Sequence, residues 1–103
     1  MVTRLDDGQV HFALYHPEAF MVNLAGDFND WRGGNLPLEK DHRGWWHLSL
    51  HLPPGEHRFN YVVNGTEWIA DYAAFGVERS EDEDRWQSVL WLEDDRPALA
   101  AAA

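Results

Sequence analysis

The sequence predicts an all-β domain built as an antiparallel sandwich, and three observations lead there. Apolar residues recur at every second position in several short runs, clusters of Gly, Pro, Asn and Asp punctuate those runs, and no segment sustains a helical period. The first run, QVHFALYH at 9–16, sets Val10, Phe12 and Leu14 on one face. The second, Val22-Asn23-Leu24-Ala25, leads into the turn residues of GDFNDW. WWHLSLHL at 45–52 alternates, with Trp46, Leu48, Leu50 and Leu52 inward and Trp45, His47, Ser49 and His51 outward. RFNYVVNG places Phe59, Tyr61 and Val63 on one face and Arg58, Asn60 and Val62 on the other, and SVLWL at 88–92 closes the set. Gly33-Gly34 reads as loop, Pro53-Pro54-Gly55 as a tight turn, and Asn64-Gly65 as a hairpin signal because both residues tolerate positive φ.

Length and charge bound the function. The 103 residues suit one domain, with 1–96 as the sandwich and the low-complexity PALAAAA at 97–103 as a tail. An α/β barrel enzyme needs roughly 250 residues. No apolar run approaches the roughly 18 residues that span a bilayer, and MVTRLDDGQ lacks the apolar stretch of a signal peptide, so a soluble cytoplasmic protein is expected. Without cysteine there is neither a disulfide nor a thiolate zinc site. A net charge of -10 repels nucleic acid and anionic headgroups and leaves a neutral or cationic partner. The acidic runs ERSEDEDR at 78–85 and Glu93 to Arg96 read as solvated loop and tail.

Six tryptophans, five phenylalanines and three tyrosines are more ring than so small a core can enclose. Trp46 belongs inside with Leu48 and Leu50, and Phe28 reads as a core plug. Trp31, at the end of a loop, is expected to be exposed as a ligand platform. Metal and catalytic readings are weaker. His47 and His51 share a strand face but lie roughly 13 Å apart at strand rise. Glu81-Asp82-Glu83-Asp84 lacks the ligand spacing of an EF-hand. Asp27, Asp30, Glu67 and Asp71 each suit a turn or strand end, without the enclosing cleft in which paired carboxylates cleave glycosides. No metal, no cofactor and no catalytic residue is therefore expected.

The order of motifs, VHFALYHPEAFMVNLAGDFNDW followed by GWWHLSLHLPPGEHRFNYVVNGTEWIAD, resembles the glycogen-binding module of the AMP-activated protein kinase beta subunit and the early-set domains of isoamylases and glycogen-branching enzymes. That resemblance implies an immunoglobulin-like early-set β-sandwich that binds α-1,4-linked glucans such as glycogen, starch or maltooligosaccharides without cutting them. It implies stacking of glucose on Trp31 and Trp68. It places Asn60 where glycogen-binding members carry a lysine, and Ser88 where they carry an asparagine. If Ser88 faces the sugar, alternation adds Trp86 to the same face. The implied partners are an α-glucan and a glycogen-metabolising enzyme or kinase. The alternative is an early-set domain that kept the sandwich for protein interaction and lost the sugar site.

Overall fold

Two antiparallel sheets face each other in the computed structural model, which describes residues 1–5 and 8–93. The tail expected at 97–103 lies outside the described residues. The strands are β1 (Val2–Arg4), β2 (Gln9–Tyr15), β3 (Val22–Gly26), β4 (Glu39–Lys40), β5 (Trp45–His51), β6 (Gly55–Val63), β7 (Glu67–Ile69), β8 (Gly76–Ser80) and β9 (Arg85–Leu92). One sheet has the order β1-β2-β5-β4, and the other β3-β6-β9-β8 with β7 also paired to β6. The fold is the all-β, early-set type of sandwich that the alternation and the motif order predict.

The inner faces follow the expected parity. Val10, Phe12 and Trp46 of the first sheet meet Val22, Leu24, Phe59, Tyr61, Val63, Leu90 and Leu92 of the second. Phe59 lies edge-on to Phe12 at 5.0 Å and to Tyr61 at 5.7 Å, arrangements that suit the ring quadrupoles. Trp46 is buried and its indole N–H donates to the His16 carbonyl at 2.8 Å, which makes its burial tolerable. Phe28 packs against this core 6.3 Å from Phe12.

Three local readings are refined or corrected in the folded chain. Pro53-Pro54-Gly55, read as a tight turn, is the link that carries the chain from one sheet to the other, with Gly55 at φ 126°. The run 78–85 straddles a hairpin, because Glu78 to Ser80 finish β8, Arg85 opens β9 and only 81–84 form the turn. Glu78 and Arg85 have the outer parity and Arg79 the opposite one, so charged residues on both faces leave no apolar alternation in the sequence. Val62 and Asn60, expected to face outward, are both buried. Val62 is covered by the 27–38 loop, whose Gly33 packs against it, and Asn60 is tied down by the Trp86 carbonyl. The loop returns along the free edge of β3 through Leu24 N–H to Leu36 O (2.9 Å) and Leu38 N–H to Val22 O (2.9 Å).

The geometry of β6 decides what lies beside what. One edge pairs with β3 from Phe59 to Val63, while the other is shared: β9 takes Gly55 to Phe59 and β7 takes Tyr61 to Val63. The two short partners therefore meet end to end. Trp68 of β7 is brought to the start of β9.

Candidate functional site

The GDFNDW loop is built around Asn29. Its Oδ1 accepts the Gly26 N–H at 2.9 Å, and its Nδ2 approaches Leu24 O, Arg32 O and Asn35 Oδ1 within 3.2 Å. Asp27 exchanges bonds with the Arg58 backbone, giving its own N–H to Arg58 O at 3.0 Å and accepting the Arg58 N–H at 3.1 Å. A Cβ on Gly26 would lie 2.6 Å from that same carbonyl and from the Phe28 ring, so the motif needs glycine for close approach.

This scaffold holds Asp30 and Trp31 at φ 57° each, with the Trp31 N–H bonded to Gly26 O at 2.8 Å. Left-handed backbone costs a residue with a Cβ about 1–2 kcal/mol, and for an indole it is a genuine outlier. Such strain collects where a side chain has to be presented in one direction. Trp31 is half-buried at the loop tip.

Trp68 is also half-buried, and it stands opposite Val62 on the outer face of its sheet. Gly33 packs against its six-membered ring, where a Cβ would sit 3.1 Å from Cζ2. Between the two indoles lies Arg85, its guanidinium carbon 4.3 Å from the Trp68 ring centre and 5.8 Å from that of Trp31. Two aromatic planes thus converge on one outer face, with a cation over them.

The remaining expected residues are placed differently. Asn60 is fully buried, its Nδ2 donating to Trp86 O at 2.9 Å just where the β6–β9 ladder ends, and its Oδ1 has no partner. Ser88 is fully buried in the interior. Its hydroxyl donates to Phe59 O at 2.6 Å and accepts the Asp71 N–H at 3.1 Å. Asp71 in turn accepts the Tyr61 hydroxyl at 2.8 Å on the core side, where burial and this carboxylate push the phenol far above its ordinary range. Trp86 is 45% exposed and has the parity of Ser88, so it stands on the sheet face opposite to that of Trp68. The structure brings Trp31 and Trp68 together and leaves Ser88 and Trp86 off their face.

Parity assigns Arg85 and Gln87 to the Trp68 face instead, and both were missed. The signal was present in SVLWL. Leu90 and Leu92 are the apolar alternates, which puts even positions of β9 inside and odd positions outside. Asn29 was missed as well, because a loop hub has no periodic signature.

A flat pair of indoles beside polar groups can grip the C–H face of a pyranose and orient its hydroxyls. Comparison with known proteins then decides the family. Residues 2–86 match the family described as carbohydrate-binding module 48, the isoamylase N-terminal domain. The chain belongs to that family. The module is 36% identical to the 1,4-alpha-glucan branching enzyme of Deinococcus radiodurans over 90 residues, which is 82% of this chain and 12% of the enzyme. It is 36% identical to that of Mycobacterium ulcerans over 80 residues, 70% of the chain and 11% of the enzyme. It is also 36% identical over 53 residues to the SNF1 protein kinase subunit beta-2 of Saccharomyces cerevisiae, covering 50% of the chain and 12% of that subunit. The module spans about an eighth of the length of these relatives.

Among the described residues no group of three or more His, Asp or Glu side chains could hold a metal ion. The carboxylates near the loop are committed elsewhere, Asp27 to the Arg58 backbone and Asp71 to Tyr61.

Proposed function

We propose that the module binds α-1,4-linked glucans without cleaving them, stacking glucose units on Trp31 and Trp68. The observation that carries this is the convergence of a strained loop-tip indole with a second indole on one outer sheet face. Membership of a carbohydrate-binding family supports it. Asn60 acts from beneath by holding the Trp86 carbonyl where the ladder ends, and Gln87, buried on the parity of Arg85, supports the platform without reaching its surface. Ser88 and Trp86 serve the module structurally. Likeness to branching enzymes and to a kinase subunit supports recruitment of a glucan-modifying enzyme or a kinase to the polymer.

Affinity for one short chain is modest, because two stacked rings contribute about 1–3 kcal/mol beyond burial. On a branched polymer several modules engage together, and avidity raises retention. The test is retardation by glycogen in a native gel, paired with calorimetric titration of maltoheptaose. Retention that survives chelator and disappears in Trp31→Ala supports the reading. Unretarded migration with no heat from maltoheptaose removes it and leaves the protein-interaction reading, which the full burial of Asn60 and Ser88 favours.

A further inference from the structure

Arg85 occupies the place where a sugar ring would stack. Its guanidinium covers Trp68 at 4.3 Å and reaches Trp31 at 5.8 Å, and only 22% of the side chain is exposed. A cation over two indole faces is an attraction in its own right, and one face cannot hold a guanidinium and a pyranose together. The fit is incomplete on its polar side. Nε is buried with no hydrogen-bond acceptor, and the nearest carboxylate, Glu83, stands 3.4 Å from a terminal nitrogen. Arg85 is thus held by the rings while one of its own donors is left unmet, a state that something else can displace.

We infer that Arg85 is a built-in competitor that determines the affinity of the Trp31–Trp68 platform: a glucan binds by displacing the guanidinium from the indoles onto the acidic turn at 81–84. This rests on the glucan reading of the same face. The turn supplies what the displaced cation requires. Glu83 already holds an ion pair with Arg85 at 3.4 Å, and Glu81 and Asp82 share the hairpin that opens β9, whose Asp84 is paired with Arg79. Leaving the rings therefore gives up a cation–π contact and lets water reach the unpaired Nε, while the guanidinium keeps Glu83 and gains access to Glu81 and Asp82. The cost of displacement is incurred at each platform engaged, so Arg85 weakens the binding of a short oligosaccharide once and that of a polymer held by several modules once for every module. The acidic hairpin thereby has a role that its composition alone did not suggest.

The experiment is calorimetric titration of maltoheptaose into the natural protein, Arg85→Ala and Arg85→Gln, together with NMR observation of the Arg85 Nε–H in the natural protein. Before sugar is added, that proton is shifted upfield by the indole ring currents. At saturation it returns to the ordinary arginine position, and both variants bind about three to ten times more tightly, the scale of a partly exposed cation–π contact. Weaker binding by both variants, with the proton still shielded at saturation, overturns the inference and makes Arg85 a sugar contact. An unshifted proton in the free protein overturns it without reference to sugar. If none of the three proteins binds while the proton is shielded, it is the glucan reading that fails, and competition fails with it.

Discussion

Trp31 shows most directly how one residue trades stability for presentation. Its ring is held at φ 57° by the Gly26 carbonyl bond and the Asn29 hub, and the backbone cost is present whether or not sugar is bound. Comparing Trp31→Ala with Trp31→Gly isolates that cost, since both lack the ring and only glycine accepts left-handed φ freely. Trp31→Gly should be more stable than Trp31→Ala by about 1 kcal/mol, a difference of roughly 4–8 °C in Tm for a domain this size, read by thermal unfolding. Both should lose glycogen retention. Equal stability of the two would mean that the loop relaxes out of the left-handed region. Ser88 gives the opposite case. Ser88→Ala leaves the Asp71 N–H without an acceptor inside the sandwich, so about 1–3 kcal/mol of stability should be lost in urea unfolding while the folded fraction keeps its affinity for maltoheptaose. A loss of affinity at unchanged stability would return Ser88 to the sugar site.

At the scale of elements, the outer face of the β2–β5 pair carries a chain of titratable groups. His11 Nε2 lies 3.0 Å from His47 Nδ1, the rings stack at 5.0 Å, and His47 Nε2 lies 2.8 Å from Asp41 Oδ2. With the carboxylate accepting from Nε2, the lone pair of His47 Nδ1 accepts from His11. The His47 hydrogen bond, aided by the Arg43 and Trp45 backbone N–H groups, holds Asp41 down at about 2. Burial first, then the nearby His47 and the chain N-terminus, lowers the His11 pKa. Both shifts make the unfolded chain bind more protons than the folded one as pH falls. For His11 this begins below about 6.5, the ordinary imidazole value, and ends at its lowered folded value; for Asp41 stability is complete above about 3.8 and lost as pH falls towards about 2. The urea midpoint should therefore decline from pH 6.5 downward, and His11→Gln should flatten the first part of that decline. An unchanged slope in the variant would assign the acid sensitivity to other groups.

For the whole molecule, the two outer faces are chemically separate. The histidine chain lies outside one sheet and the indole pair outside the other, with the Phe12, Phe59 and Leu90 layer between them. Among the described residues, the charged group recorded over Trp31 and Trp68 is Arg85, which belongs to the second sheet. Lowering the pH from 7 to 5.5 should accordingly reduce stability while leaving the maltoheptaose Kd at 25 °C within about twofold, measured by titration at both values. A large change in Kd would mean that the platform is coupled to a histidine, either through His57, which lies 3.5 Å from Asp27 in the loop that carries Trp31, or through a shift of one sheet against the other.

The sandwich, its inner parity at Phe12, Trp46, Phe59 and Tyr61, and the loop indole Trp31 were legible in the sequence. Alternation and turn chemistry are local, and a strand's buried face follows from the residues of that strand alone. The family was legible for a related reason, since GDFNDW and the Asn64-Gly65 turn encode their backbone within a few residues. What only the tertiary structure decided was which of the outward side chains lie beside Trp68. That depends on β7 and β9 dividing one edge of β6, and on the 27–38 loop folding over its outer face. These are contacts between segments dozens of residues apart, so no pattern within β9 alone could place Arg85 over the two indoles or bury Asn60 against the Trp86 carbonyl.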